Sequence, residues 1–312
     1  MVVLNAIGSV LSIVIMICTG YVLTKFEWLN ENISKVFSKL VCNVALPCLM
    51  ISNLMDNFTK DKLYHIGKGL IIPVLSMAIG YILAILISKI IKVRKERTGT
   101  FRSMFFVSNS IFIGLPINLA LFGSKSVPYV LLYYIANTTF FWTIGAYGIS
   151  SDGQAGKKTS IFSKETLNRI FSPPLMGFII AMILIFCGIK LPKFVMDTCK
   201  YFGEMTTPLS MLFIGITIYY VDIKKIKMSK DIFFVLIGRF IISPALIIFL
   251  ASFFPIPDLM KKVFIIQAAM PVMTNTSIVA KAYGADYEYA AVVTSLTTAL
   301  SLLVIPIYMS II

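Results

Sequence analysis

Side chains able to hold a polar ligand gather at two places in an otherwise apolar chain. The first stretch reads Val107-Ser-Asn109-Ser110-Ile-Phe-Ile-Gly114-Leu-Pro116-Ile-Asn118, and the second reads Gln267-Ala-Ala-Met-Pro271-Val-Met-Thr274-Asn275-Thr276-Ser277. Each sets a central proline among amide and hydroxyl side chains, where an ordinary membrane helix would be rich in Leu and Ile. Proline removes a backbone donor and clashes with the carbonyl four residues earlier. Each stretch is therefore expected to break near its middle, freeing backbone groups that a protein-lined cavity must satisfy. An exposed helix N-terminus stabilises a carboxylate by roughly 0.3–2 kcal/mol. Two such ends, with Asn109 and Asn275, could replace the water shell of a small organic anion. Broken helices at matching places in two inverted halves point to a transport site. The alternative is a plain kink whose Ser, Thr and Asn side chains tie neighbouring helices together.

The charge inventory narrows the ligand. All 14 acidic residues fall in loops or at the ends of apolar blocks, with Glu204 and Glu288 nearest to an interior. No carboxylate pair is offered for a midplane sodium or proton site. Arg239 is the one charge deep in a block, on the order of 12 Å along a helix from Asp231. It reads either as the partner of an anion or as a side chain that snorkels to the interface or pairs with a backbone carbonyl. The single histidine, His65, stands at an interface. An embedded enzyme would need an intramembrane acid or base cluster, so no catalytic residue is assigned.

These residues must be positioned by membrane helices. Of the 312 residues 58% are hydrophobic and 13% charged, and the apolar residues arrive in long blocks that exclude a water-soluble fold. Charge-poor spans fall at 2–23, 40–55, 69–88, 103–124, 126–151, 170–189, 205–221, 232–257, 263–280 and 289–312. The shortest are expected to borrow flanking turns such as Val36–Lys39. The first span lacks the basic flank and cleavage site of a signal peptide and reads as a retained helix. Cys18, Cys42, Cys48, Cys187 and Cys199 lack zinc spacing and read as small buried hydrophobes, and no metal or cofactor is assigned. The net charge of +14 sits in short loops with no soluble domain to grip nucleic acid. With the N-terminus outside, inner loops hold 18 Lys and Arg and outer loops hold 9, so both termini are expected outside a plasma membrane.

The polar stretch 151–169 divides the chain into a first five-helix repeat, 1–150, and a second, 170–312. Five is odd, so the second half must run inverted. Pro47 is echoed 161 residues later by Pro208, and Gly123 by Gly284, while Lys68–Pro73 resembles Arg239–Pro244. The fold class expected is an all-α polytopic membrane protein of about ten helices, two inverted five-helix repeats with broken, crossing helices four and nine.

At these residues the chain resembles the auxin efflux carrier family, which includes plant PIN-type auxin carriers and bacterial carriers of malonate and malate. Asn109-Ser-Ile-Phe-Ile-Gly114-Leu-Pro116 looks like the family's Asn-x4-Gly-x-Pro crossover. Asn43-Val-Ala-Leu-Pro47, Thr207-Pro208 through Gly215, and Pro271 before Ala282-Tyr283-Gly284 add support over the whole chain. The resemblance implies a scaffold of spans one, two, six and seven and a mobile transport domain made of the rest. It implies secondary transport of small organic carboxylates by elevator-type exchange. Taken with the polarity and charge of the two stretches, the expected substrate site comprises Asn43, Asn109, Ser110, Gly114, Pro116, Asn137, Arg239, Pro271, Thr274 and Asn275. Plant members carry an acid four residues before a span-three lysine; here Tyr64 and His65 precede Lys68. The long hydrophilic loop of the plant carriers is missing, and nothing indicates auxin itself. A sodium-coupled organic anion symporter of the bile-acid carrier type is the alternative, with Thr274, Asn275, Thr276 and Ser277 as oxygen ligands. The coupling ion, proton or sodium, and a homodimer are left open.

Overall fold

The computed structural model describes residues 2–60, 67–153, 171–220 and 228–311, with side chains placed from residue 11. Tyr64 and His65 and most of the linker at 151–169 lie outside the described residues. Among the described residues all regular elements are helical, apart from one isolated antiparallel bridge. Four stretches of the described residues are long and apolar enough to cross a membrane: Glu31–Asn57, Lys68–Ile90, Lys230–Ala251 and Tyr287–Ile311. The second span does extend upstream, starting at Glu31, where the Asn30 side chain accepts from the Asn32 and Ile33 amides at 3.0 and 3.1 Å.

Helix bounds recur at a nearly constant separation. The stretch 31–57 returns as 193–219, an offset of 162 at both ends, and the starts at 115 and 127 return at 275 and 287, offsets of 160. Gly123 and Gly284 close corresponding helices with φ of 69° and 71°, a region that disfavours side chains with a Cβ. Lys68–Pro73 and Arg239–Pro244 are separated by 171 residues and fall outside this register. The physical roles of the two prolines differ accordingly. Pro73 lies in the first turn of its helix, whereas Pro244 follows a widened turn in mid-span.

Widened turns are how these helices accommodate proline. Pro47, Pro116 and Pro244 each come two residues after a π-turn, at Val41–Ala45, Ser110–Gly114 and Gly238–Ile242. A bond from residue i+5 instead of i+4 makes room for the ring and leaves a carbonyl to be satisfied. Side chains add donors to carbonyls around these turns: Asn43 Nδ2 to Lys39 O (2.9 Å), Asn118 Nδ2 to Gly114 O (2.7 Å) and Ser243 Oγ to Gly238 O (2.8 Å), which also accepts the Ser243 backbone amide.

The chain divides into two compact units, each discontinuous. Unit 1 takes Met1–Gly69, Ile111–Leu131 and Phe171–Tyr220; unit 2 takes Leu70–Ser110, Leu132–Ile170 and Val221–Ile312. In unit 1, α1 (Val2–Lys25) packs against α11 (Thr206–Tyr219), while α9 (Pro173–Cys187) and α10 (Lys193–Glu204) pack against α3 (Leu46–Asn57). Apolar attraction between helices is weak in lipid, so close backbone approach carries the association. A Cβ placed on Gly215 would stand 2.3 Å from Ile17 O, so α1 and α11 can meet this closely only because that position is glycine. Cys18 and Cys187 are exposed and only Cys199 of the five cysteines is buried, since helix faces turned to lipid accept an apolar thiol as readily as a core does.

Unit 2 is built from α4 (Ile71–Ile90), α5 (Thr98–Phe106), α7 (Val127–Phe140, from Leu132), α8 (Ala146–Asp152), α12 (Lys230–Ile237), α13 (Ser243–Ala251), α14 (Asp258–Ala268), α15 (Asn275–Tyr283) and α16 (Tyr287–Ile311). Its core holds Phe101, Phe105, Phe106 and Phe264, all buried. One end is organised by charge. The Asp152 carboxylate accepts from the Gly99 and Thr100 amides, both at 2.7 Å, capping α5. Arg97 pairs with Asp231 at 2.7 Å and Asp286 at 3.8 Å and lies 4.6 Å from the Tyr289 ring centroid. The loops after spans three, five, seven and nine therefore meet at one end of this unit. In unit 1, Lys200 pairs with Asp56 at 3.0 Å, joining α10 to the end of α3.

Candidate functional site

Span four breaks earlier than its proline predicts. Helix α5 stops at Phe106, Val107 is extended (φ −89°, ψ 132°), and Ser108 forms an antiparallel bridge with Val272. The chain turns helical again at Ser110, and Pro116 sits in the first turn of α6 (Leu115–Phe122), where its missing N–H is least needed. The break is therefore the work of Ser108, Asn109 and their partners. In span nine the proline does fall in the break: α14 stops at Ala268, Pro271 lies in the non-helical link, and α15 starts at Asn275.

The two links cross within unit 2 and satisfy each other. The Asn109 backbone N donates to Pro271 O at 2.8 Å, and Asn109 Nδ2 donates to Thr274 Oγ1 at 2.7 Å. Asn137, from α7, spans the break in four: its Oδ1 accepts from Ser108 N at 2.9 Å, and its Nδ2 donates to Ser108 O at 2.8 Å and Ser110 Oγ at 3.3 Å. Gln267 Nε2 donates to Ser110 O at 3.2 Å. Thr297, on α16, accepts from Val272 N at 3.2 Å while donating to Val293 O. Asn137 and Thr297 are 160 residues apart, matching the offset of their helices, so each freed link amide is held by the second helix that follows it in the chain.

Ser108, Asn137, Gln267 and Thr297 are fully buried, and Asn109 and Ser110 nearly so; Thr274 and Asn275 are half-buried and give the crossing its open side. No Asp or Glu forms an ion pair at this crossing among the described residues. Arg239 is buried with its guanidinium on the carbonyls of Ala268 and Met270, the geometry of the carbonyl-pairing alternative. Of the residues singled out from sequence, Asn109, Ser110, Asn137, Pro271, Thr274, Asn275 and Arg239 lie in unit 2, and the bonds above join all but Asn275, which adjoins Thr274 in the chain. Asn43, Gly114 and Pro116 belong to unit 1, where Asn43 is exposed and Gly114 O is bound by Asn118. Sequence reading quoted Ser108 and Gln267 within the two polar stretches without assigning them to the site, and passed over Thr297. The hydroxyl stripe Thr294, Thr297, Thr298, Ser301 at helical spacing was a visible signal for the last of these.

Apolar helices of crossing length, together with two interrupted helices pairing through buried amides, define a multi-pass membrane protein of transporter type. The chain belongs to the membrane transport protein family, that of the auxin efflux carriers, whose model matches residues 5–309. It is 26% identical over 306 residues to an uncharacterized transporter of Methanocaldococcus jannaschii, covering 96% of both chains. It is 24% identical over 312 residues to an uncharacterized transporter of Methanothermobacter thermautotrophicus, covering 99% of both. A yeast relative from Saccharomyces cerevisiae, also an uncharacterized transporter, is 29% identical over 126 residues, 38% of this chain and 28% of its own.

Proposed function

We propose that this protein is a secondary transporter of small organic carboxylates that binds its substrate where the links of spans four and nine cross. The observation carrying this reading is the composition of the crossing: amide and hydroxyl groups of Asn109, Ser110, Asn137, Thr274 and Asn275, with Arg239 as the nearby charge and no ion-paired carboxylate among the described residues. Such a site recognises an anion by hydrogen bonding and positive potential. The division into two discontinuous units supports an elevator movement in which unit 2 carries the substrate and unit 1 serves as scaffold. Moving a dianion inward against about −100 mV costs roughly 4.6 kcal/mol, so uptake needs a coupled proton or cation whereas export runs downhill. Counterflow in proteoliposomes with acetate, lactate, malonate, malate and succinate tests the reading. Exchange of at least one is expected, and failure of all five removes carboxylates as the substrate class.

One observation favours the sodium-coupled alternative. The side-chain oxygens of Gln267, Thr276 and Thr294 are buried and find no hydrogen-bond partner among the described residues, and hydroxyl and amide oxygens are sodium ligands. Running the same panel in sodium and in choline separates the two readings, because only sodium coupling makes exchange depend on the cation.

The proposed topology has ten spans in two inverted halves and both termini outside. The charge cluster around Arg97 supports it, since it unites loops that alternate in the chain. In a cysteine-free background, Lys95→Cys is expected to react with an impermeant maleimide only after the cells are opened, and Lys190→Cys in intact cells. Both positions are exposed, so a reversed pattern would invert the topology.

A further inference from the structure

Helix α14 ends at the crossing, and the carbonyl of its last residue, Ala268, and that of Met270 in the link beyond it are left to a side chain. Arg239 takes them: Nη2 donates to Ala268 O at 2.5 Å and to Met270 O at 3.2 Å, Nε donates to Met270 O at 3.2 Å, and Nη1 donates to Ser243 Oγ at 3.3 Å. The side chain is fully buried and has no carboxylate partner among the described residues. A helix C-terminus carries about half a negative charge and a guanidinium carries a full positive one. Their sum is net positive, one residue from Pro271, whose carbonyl binds Asn109. Among the described residues the other link receives no such charge. Its freed groups meet the neutral Asn137 amide, and Met77, 162 residues before Arg239, is buried and uncharged.

We propose that Arg239 is a positioning residue that sets the charge selectivity of the crossing. It holds the Ala268 and Met270 carbonyls in place and over-compensates their negative end, so that a carboxylate is preferred to its neutral amide without touching the guanidinium. This rests on the crossing being the anion site. A unit charge about 10 Å from an anion, at an effective dielectric constant of about 20, changes affinity roughly ten- to twentyfold.

The test uses whichever of acetate, malonate or succinate the wild type exchanges, against acetamide, malonamide or succinamide, in the full-length protein. Arg239→Gln keeps a carbonyl donor and loses the charge. Ser243→Asp leaves the guanidinium in place and neutralises it from 3.3 Å, a second route should the first variant fold poorly. The carboxylate-over-amide affinity ratio is expected to fall about tenfold in both and to persist in Arg239→Lys, with melting temperature in detergent as the folding control. An unchanged ratio in either folded neutral variant, or an equal fall in Arg239→Lys, overturns the proposal while leaving the anion reading intact. A wild type that prefers no carboxylate over its amide overturns both.

Discussion

Asn137→Ala is expected to lower thermal stability sharply and abolish transport together. An ordinary interhelical hydrogen bond in a membrane protein averages only about 0.6 kcal/mol, because the lost partner usually finds another. Asn137 is different in kind. Its partners are the backbone N–H and C=O of Ser108, at 2.9 and 2.8 Å, inside a break that supplies no helical replacement and at a fully buried position that water does not reach. Leaving two such groups unmatched costs about 1–3 kcal/mol each, a sum comparable to a large share of the stability of a typical domain. Detergent melting curves and counterflow on the same preparations measure this. If Asn137→Ala melts like the wild type, the crossing is not held by this side chain.

Asn109→Ala is expected to give the opposite pattern, a loss of substrate affinity of roughly 10- to 100-fold with near-normal stability. Removing one hydrogen bond to a charged ligand costs about 1.5–3 kcal/mol. The backbone bond from Asn109 N to Pro271 O survives the substitution, since it uses no side-chain atom. Its side-chain bond runs to the hydroxyl of the half-buried Thr274, which can turn to water or to ligand when the amide is removed. Binding measured by ligand-dependent shift of the melting temperature, alongside the melting temperature of the free protein, separates the two effects. A less stable protein whose folded fraction binds normally would assign Asn109 to the scaffolding of the crossing and move the ligand elsewhere.

The contrast between two asparagines of the same type, both buried at one crossing, marks where sequence reasoning ended. Long apolar blocks determined by themselves that the chain is a helical membrane protein, because a lipid interior permits no other way to satisfy so many backbone groups in blocks of this length. The clustering of amides, hydroxyls and proline singled out spans four and nine, and the spacing of Gly123 and Gly284 matched the offset at which helix bounds recur. Proline was a poor guide to where span four opens. At Pro47, Pro116 and Pro244 a π-turn absorbs the ring within a continuing path, whereas the break at Val107–Asn109 exists because Asn137, 28 residues past Asn109, offers its backbone better-satisfied bonds than a helix would. Tertiary structure alone decided the partner of Arg239. A lone buried cation can be balanced by an anion or by the carbonyl end of a helix, and which of these lies within reach depends on how α14 packs against α13 and the π-turn preceding it. That is a three-dimensional relation between segments some 30 residues apart, which local composition does not encode.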